Sequence, residues 1–212
     1  MQLWLRPDFI VHKDYPVLKR QLGRREKRKL LERTIRNAKI ALRLQEEYGV
    51  SNVIYVVQGW DVKSLEICAF KYIELGVKMF GLGSTMRTTP QEFIRRVIAV
   101  RRVIGKDSYL HVFGSLKLST LRRFVEMIDS DDTSTPIKAA AVGEIFVEYN
   151  NGIRRIKINH IAVDDLDLPA NLKNKLFFAI KDYEQRGVIT SLKLALILAN
   201  TYTLKRYMMR IH

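Results

Sequence analysis

The stretch VIYVVQGWD, residues 53–61, begins as an apolar run rich in β-branched residues and then changes character. Valine, isoleucine and tyrosine favour a buried, pleated strand. Gln58, Gly59 and Trp60 follow the apolar run, and a glycine in this place is typical of a chain leaving a strand. The sequence therefore predicts a buried strand that ends in an amide and an indole.

Strand-like and helix-like segments alternate four times along the first two-thirds of the chain. A short apolar piece, DFIVH, precedes a long basic helix, and the later strands are NVIYVVQ, VKMFGLG and SYLHVFG. The helices between and after them are predicted at about residues 63–75, 90–104 and 119–127, with Pro90 and Ser119 as start signals. Strands that are apolar on both faces predict an α/β fold with a parallel sheet covered by helices, and ligands bind at the carboxyl ends of such strands.

The last third of the chain has a different pattern. The segment AVGEIFVEYNNGIRRIKINHIAV alternates apolar and polar residues around an Asn-Asn-Gly turn, which predicts a β-hairpin. Two helices are predicted after it, at about residues 169–186 and 190–210. We expect residues 1–137 to form the α/β part, and residues 138–212 to pack on the same compact unit.

A large positive charge indicates the class of partner. Lys and Arg number 37 against 22 acidic residues, a net charge of +15, and eleven of the basic residues lie in residues 19–43. Such an excess favours a polyanion, and therefore nucleic acid, although a solvated helix is the simpler interpretation for any single residue. With the apolar residues of this helix facing inward, the phosphate-facing surface would consist of Arg28, Lys29, Arg36 and Lys39. The hairpin offers a second basic surface at Arg154, Arg155 and Lys157.

Several classes of protein are excluded. No run of about 18 uncharged apolar residues exists, and the first residues lack the pattern of a signal peptide, so we expect a cytoplasmic protein without a membrane partner. The single cysteine, Cys68, allows neither an intramolecular disulfide nor a thiolate zinc cluster from this chain alone. We expect no metal and no cofactor.

Four motifs at the predicted strand ends resemble a known family. They are VVQGWD, MFGLGS, LHVFG and IDSDDTS, in this order and with helices between them. Together they resemble the tRNA-guanine transglycosylase superfamily, with the closest likeness to the branch that inserts 7-deazaguanine into DNA. The resemblance spans about residues 7–136 and implies a (β/α) barrel of the TIM type, here shortened or incomplete.

The resemblance implies a pentosyltransferase reaction and a nucleophile. Members exchange guanine for a deazapurine in a nucleic acid: a carboxylate attacks the ribose C1′, the base leaves, and the incoming base displaces the enzyme. The family pattern has a serine two residues before the nucleophile and a small residue after it. In IDSDDTS this pattern selects Asp132. Asp131 is the nearest rival, and a solvated acidic turn is the alternative for the whole cluster.

Recognition of guanine needs acceptors for N1–H and N2–H₂ and donors for O6 and N7. The resemblance gives these tasks to Asp14 and Gln58, and it places the peptide of Gly81 and Leu82 against the base. Glycine suits such an approach because it has no Cβ to meet a planar ligand.

Two aromatic residues near these motifs are further candidates. His111 lies within a strand and is a candidate for the base pocket, with a hydrogen-bonded core histidine as the alternative. Trp60 either stacks on a base or closes the rim of the barrel.

The chain also departs from the family pattern. The Asp-Ser-Gly-Gly-Phe-like segment of the family's first barrel half and its Cys-x-Cys-x-x-Cys zinc motif are absent from the sequence. Either a second chain or another copy supplies the missing half, or the barrel is a shortened one. Two functions follow as hypotheses: a transglycosylase acting on DNA or tRNA with guanine or 7-deazaguanine, or a catalytically silent basic protein that binds nucleic acid.

Overall fold

The first part of the chain forms a curled, parallel five-stranded sheet with helices on it. The computed structural model describes residues 8–17, 22–85, 88–114, 124–149 and 152–211. The sheet has the order β1-β2-β3-β4-β5, and all four strand pairs are parallel. Its elements, in chain order, are β1 (Ile10–Val11), α1 (Arg24–Glu47), β2 (Val53–Val57), α2 (Val62–Glu74), β3 (Met79–Leu82), α3 (Pro90–Ile104), β4 (Tyr109–Val112), a 3-10 helix (Val125–Met127) and β5 (Ser130–Asp131).

Local sequence explains where these helices begin. Asp61 accepts a hydrogen bond from the Ser64 backbone at 2.8 Å and caps α2, and Thr89 caps α3 immediately before Pro90. All five residues of β2 are buried, as expected for a strand covered on both faces. The predicted α/β class and the helices at 63–75 and 90–104 are thus confirmed. Ser119 lies outside the described residues, and Val125–Met127, at the end of the helix predicted there, is a 3-10 helix.

The described residues of the second part combine a hairpin with three α-helices and two short 3-10 helices, Ile158–His160 and Val163–Asp165. Its elements are α4 (Thr135–Ala141), β6 (Glu144–Tyr149), β7 (Gly152–Lys157), α5 (Ala170–Arg186) and α6 (Ile189–Ile211). The antiparallel pairing of Glu144 with Lys157 and of Tyr149 with Gly152 confirms the predicted hairpin, whose turn residues 150–151 lie outside the described ranges. Asn200 of α6 accepts from the Phe146 backbone at 2.7 Å and donates to the Glu144 carbonyl at 3.0 Å, which fixes the hairpin to the helix.

The described residues divide into two compact units, with the boundary between Asp132 and Thr133. The boundary therefore precedes α4, a helix that the sequence pattern did not predict. Within the described ranges, no helix has both the length and the apolar character that a membrane crossing requires.

Candidate active site at the strand ends

The two faces of the sheet carry different chemistry. One face holds Ile54 and Val56 of β2, Gln58 directly after it, and Gly81 and Gly83. A Cβ built on Gly81 would meet Ile54, and one built on Gly83 would meet Val56 and Gln58. We call this the site face. The opposite face meets the helices, as Tyr55 shows by donating to Gln45 of α1 at 2.7 Å. Side chains alternate between the faces along each strand, so strand position decides which residues can share a site.

Gln58 lies at the carboxyl end of β2 in a chain of polar side chains. Its amide nitrogen donates to Asp14 and its amide oxygen accepts from Ser84. Only 2% of Gln58 is exposed, so both ends of the amide are satisfied inside the protein. Gly83 makes this possible, since a Cβ at residue 83 would lie 2.5 Å from the Gln58 amide nitrogen. The structure thus brings together Asp14 and Gln58, the two residues predicted to share base recognition.

The backbone of Asp132 continues the hydrogen bonding between β4 and β5 past the end of β5. Its backbone donates to the Val112 carbonyl at 3.3 Å, and its carboxylate accepts from the Gly114 backbone. The side chain is exposed. Ser130, two residues earlier, bonds His111, so alternation assigns Asp132 to the site face as well.

Asp131 belongs to the opposite face. Its neighbour two residues earlier, Asp129, pairs with Arg101 of α3 at 2.8 Å on the helix side of the sheet. One carboxylate oxygen of Asp131 is buried without a hydrogen-bond partner among the described residues. Burial, reinforced by the charge of Asp132, raises the pKa of Asp131 to about 6. The two candidate carboxylates therefore differ in the face of the sheet to which they belong and in exposure.

His111 is held beside the Asp132 carboxylate. Its Nδ1 lies 2.8 Å from the hydroxyl of Ser130, which is also 2.6 Å from the Tyr109 hydroxyl. Burial lowers the pKa of His111 below its ordinary value and outweighs the opposing charge of Asp132, so the imidazole is neutral near pH 7. Because the ring is half-buried and on the site face, His111 is available both as a packing surface and as a hydrogen-bonding group.

The space at Gly81 is taken by an aromatic ring of the protein itself. A Cβ at residue 81 would lie 2.5 Å from Phe113 Cε2 and 2.8 Å from Ile54 Cγ2. Phe113 packs edge-on against His111, with ring centroids 4.4 Å apart. Leu82 is fully buried, and alternation directs its side chain away from the site face. A base could therefore meet the backbone of Leu82 but not its side chain.

Arg96 holds two of the strand ends together and was not singled out from the sequence. It is 4% exposed, pairs with Glu92 at 2.9 Å, and donates to the carbonyls of Trp60 and Ser84 at 3.0 Å each. Ser84 and Ser130 stand in the motifs quoted above, but the sequence did not predict their hydrogen bonds to Gln58 and His111. An arginine in a helix and two serines after or within strands give no signal of this role, because the bonds join residues that are distant in the chain.

A comparison with protein families gives the same assignment as the four motifs. The family model described as queuine tRNA-ribosyltransferase matches residues 1–176. The chain belongs to this family. No curated protein matches the chain significantly.

Membership in the queuine tRNA-ribosyltransferase family confirms the superfamily predicted from the strand-end motifs. It indicates an enzyme of the pentosyltransferase type with guanine transglycosylase-like activity and a nucleic acid as partner. The closer likeness of this chain to the branch that acts on DNA stays a prediction.

The basic surface predicted on the first helix is exposed in this family member. The buried residues of α1 are Leu31, Thr34 and Ala38. All four predicted phosphate-binding residues lie outside this buried stripe and are exposed, namely Arg28, Lys29, Arg36 and Lys39.

The second basic surface, on the hairpin, has partners within its own unit. Arg155 lies 3.7 Å from Glu144, and the guanidinium of Arg154 lies 3.9 Å from the centre of the Tyr149 ring. Lys157 donates to the Val142 carbonyl at 2.6 Å, so all three cations have a partner. The cations of α1, by contrast, form no ion pair within the described ranges.

Proposed function

We propose that this protein exchanges guanine for a 7-deazaguanine base in DNA or tRNA through a covalent intermediate between Asp132 and the ribose. One observation carries the proposal: Asp132 and the Asp14–Gln58 pair lie at carboxyl ends of strands in one parallel sheet, where α/β proteins bind ligands.

The exchange proceeds in two displacements. A carboxylate oxygen of Asp132 bonds to C1′ as the C1′–N9 bond breaks, and the electron pair leaves with guanine, which takes up a proton. The incoming base loses its N9 proton and displaces the carboxylate, so the reaction as a whole neither releases nor consumes a proton. The exposed position of Asp132 on the site face suits this role, whereas alternation along β5 assigns Asp131 to the opposite face of the sheet.

Base recognition requires a rearrangement of the present hydrogen bonds. The Asp14 carboxylate can accept from guanine N1–H and N2–H₂, and the Gln58 amide can donate to O6 or N7. In the structure the two residues bond each other, so guanine replaces this bond when it binds. A base against Gly81 also needs the ring of Phe113 to rotate away.

The same arrangement favours the second candidate, a basic nucleic-acid-binding protein without activity of its own. Gln58 and Asp14 satisfy each other, and Phe113 fills the space at Gly81. The described sheet has five strands with β1 and β5 at its edges, and a TIM barrel has eight. Under this alternative, a second chain or another copy completes the barrel and opens the pocket.

Incubation with labelled guanine distinguishes the two functions. DNA and tRNA are offered separately, and label retained in the polymer after denaturation is measured for wild type, Asp132→Asn and the matched control Asp131→Asn. The proposal predicts incorporation by wild type and by Asp131→Asn only. Absence of label with every polymer, also after addition of candidate partner chains, would establish the silent protein instead.

A further inference from the structure

A second concave site lies next to the base-reading strand end. It is a cleft of about 430 Å³ between the first turns of α1 and α2. Four cations line it, together with an indole and one carboxylate; we call it the Trp60 cleft, and its principal lining residues are Arg24, Arg25, Arg28, Lys63, Trp60 and Asp61.

The charges of the Trp60 cleft are available to a ligand. Arg24, Arg25, Arg28 and Lys63 are all exposed, and in the described ranges none of them forms an ion pair. Asp61 is engaged in capping α2, where it accepts from the Ser64 backbone at 2.8 Å. Cations outnumber carboxylates four to one here, so the cleft favours an anion. Arginine forks match the geometry of a phosphate group.

Trp60 gives the cleft an aromatic wall, and its backbone is held by two hydrogen bonds. Its backbone nitrogen donates to the Ser64 hydroxyl at 2.9 Å, and its carbonyl accepts from Arg96 at 3.0 Å. The indole is half-buried. An aromatic side chain beside cations suits nucleic acid, because a base can stack on the ring while its phosphate meets the charges.

We propose that the Trp60 cleft binds one nucleotide of the substrate strand, with its phosphate against Arg24, Arg25 and Lys63 and its base against Trp60. The volume supports one nucleotide rather than a helix, because clefts of roughly 300–1,000 Å³ hold small ligands. Trp60 follows Gln58 by two residues, so the subsite holds a nucleotide flanking the target base. This inference rests on the proposed function, in which the partner is a nucleic acid.

Tryptophan fluorescence can test the subsite without any exchange reaction. Trp4→Phe leaves Trp60 as the only tryptophan, and a short oligothymidylate, which contains no guanine, serves as ligand. We expect quenching on binding. Replacing Trp60 with Ala, in binding followed by anisotropy of a labelled oligonucleotide, should weaken affinity about five-fold or more, and Trp60→Phe should restore most of it.

A salt titration tests the binding of phosphate. The triple variant R24Q/R25Q/K63Q should flatten the slope of log K against log salt by about 0.7 for each phosphate that these cations no longer neutralise. The matched control R95Q/R102Q/K106Q removes three exposed cations that do not line the cleft, and its slope should stay near that of wild type. Circular dichroism verifies that both variants are folded.

Three results would overturn the subsite: binding without quenching, equal slopes for the two triple variants, or equal quenching by an acidic peptide of the same charge. The last would assign the cleft to a protein partner. Failure of the proposed function can be distinguished from failure of the subsite. If quenching and the slope change are present but no guanine is transferred, the subsite stands and the exchange reaction does not; guanine transfer with an unchanged slope refutes the subsite alone.

Discussion

Replacing Asp131 with Asn should stabilise the first unit at neutral pH, although Asp131 is the neighbour of the proposed nucleophile. Asn keeps the size of the side chain and removes its charge. The wild-type carboxylate has a buried oxygen without a partner among the described residues, and burial raises its pKa from 3.8 to about 6. Because burying this ionised carboxylate destabilises the folded state, removing its charge should stabilise the fold.

The magnitude follows from the pKa. At about 1.4 kcal/mol per pKa unit, the rise from 3.8 to about 6 corresponds to at most about 3 kcal/mol. Because Asp131 is only partly buried, solvent screening reduces this, and we expect about 1–2 kcal/mol. The folded state binds more protons than the unfolded state between pH 4 and 6, so the free energy of unfolding of wild type falls across this window. The free energy of unfolding of Asp131→Asn therefore exceeds that of wild type only slightly at pH 4. The difference grows up to about pH 6 and is constant above it.

Urea unfolding at a series of pH values measures this difference. Trp60 lies in the same unit as Asp131, so its fluorescence in a Trp4→Phe background follows the unfolding of that unit. Guanine exchange is measured on the same samples. Asp131→Asn should retain exchange, whereas Asp132→Asn should lose it by orders of magnitude, because an amide cannot form the glycosyl ester. Asp132→Asn should also lower the pKa of Asp131, since it removes the neighbouring charge.

Two results would refute this reasoning. If Asp131→Asn and wild type have parallel stability profiles from pH 4 to pH 8, the buried carboxyl does not carry a raised pKa. If Asp131→Asn abolishes exchange and Asp132→Asn does not, the assignment of the two carboxylates to opposite faces is wrong.

Three further substitutions test the base site and the basic surface. Gln58→Ala should weaken discrimination among purines more than turnover with guanine; in a competition assay, equal loss for all bases would make Gln58 structural. Gly83→Ala should displace the Gln58 amide, which lies 2.5 Å from the added Cβ, and should reduce the same discrimination at a cost of about 1–3 kcal/mol in urea unfolding. Neutralising four residues of α1 should flatten the salt slope of binding to DNA or tRNA by about 0.7–0.9 for each phosphate left without a cation, and base preference should not change. The four residues are Arg28, Lys29, Arg36 and Lys39. An unchanged slope would indicate that the nucleic acid binds another surface.

The sequence was sufficient for the features that depend on neighbours in the chain. The apolar β-branched run at residues 53–57 predicted a strand buried on both faces, and β2 is buried throughout. Pro90 predicted the first residue of α3. Alternation predicted the hairpin, because period-two patterning is a local property.

Features that depend on interactions between distant residues could not be predicted. β5 has two residues, Ser130 and Asp131, and their polar side chains give no strand signal. The bond between Ser84 and Gln58 joins residues of neighbouring strand ends, and the ring of Phe113 fills the space that Gly81 leaves. The family resemblance implied a planar base against Gly81, but only the fold shows that a ring of the protein itself, that of Phe113, lies there.

Arg96 connects the proposed base site with the Trp60 cleft. A buried guanidinium is costly unless each donor finds an acceptor, and Arg96 meets this condition with Glu92 and with the carbonyls of Trp60 and Ser84. Ser84 in turn bonds the Gln58 amide. The backbone of Trp60 at one end of this network and the Gln58 amide, which we propose reads the base, at the other are therefore linked by the same side chain of α3. A lysine could not replace it, because a single ammonium group lacks the planar fork that reaches two loops at once.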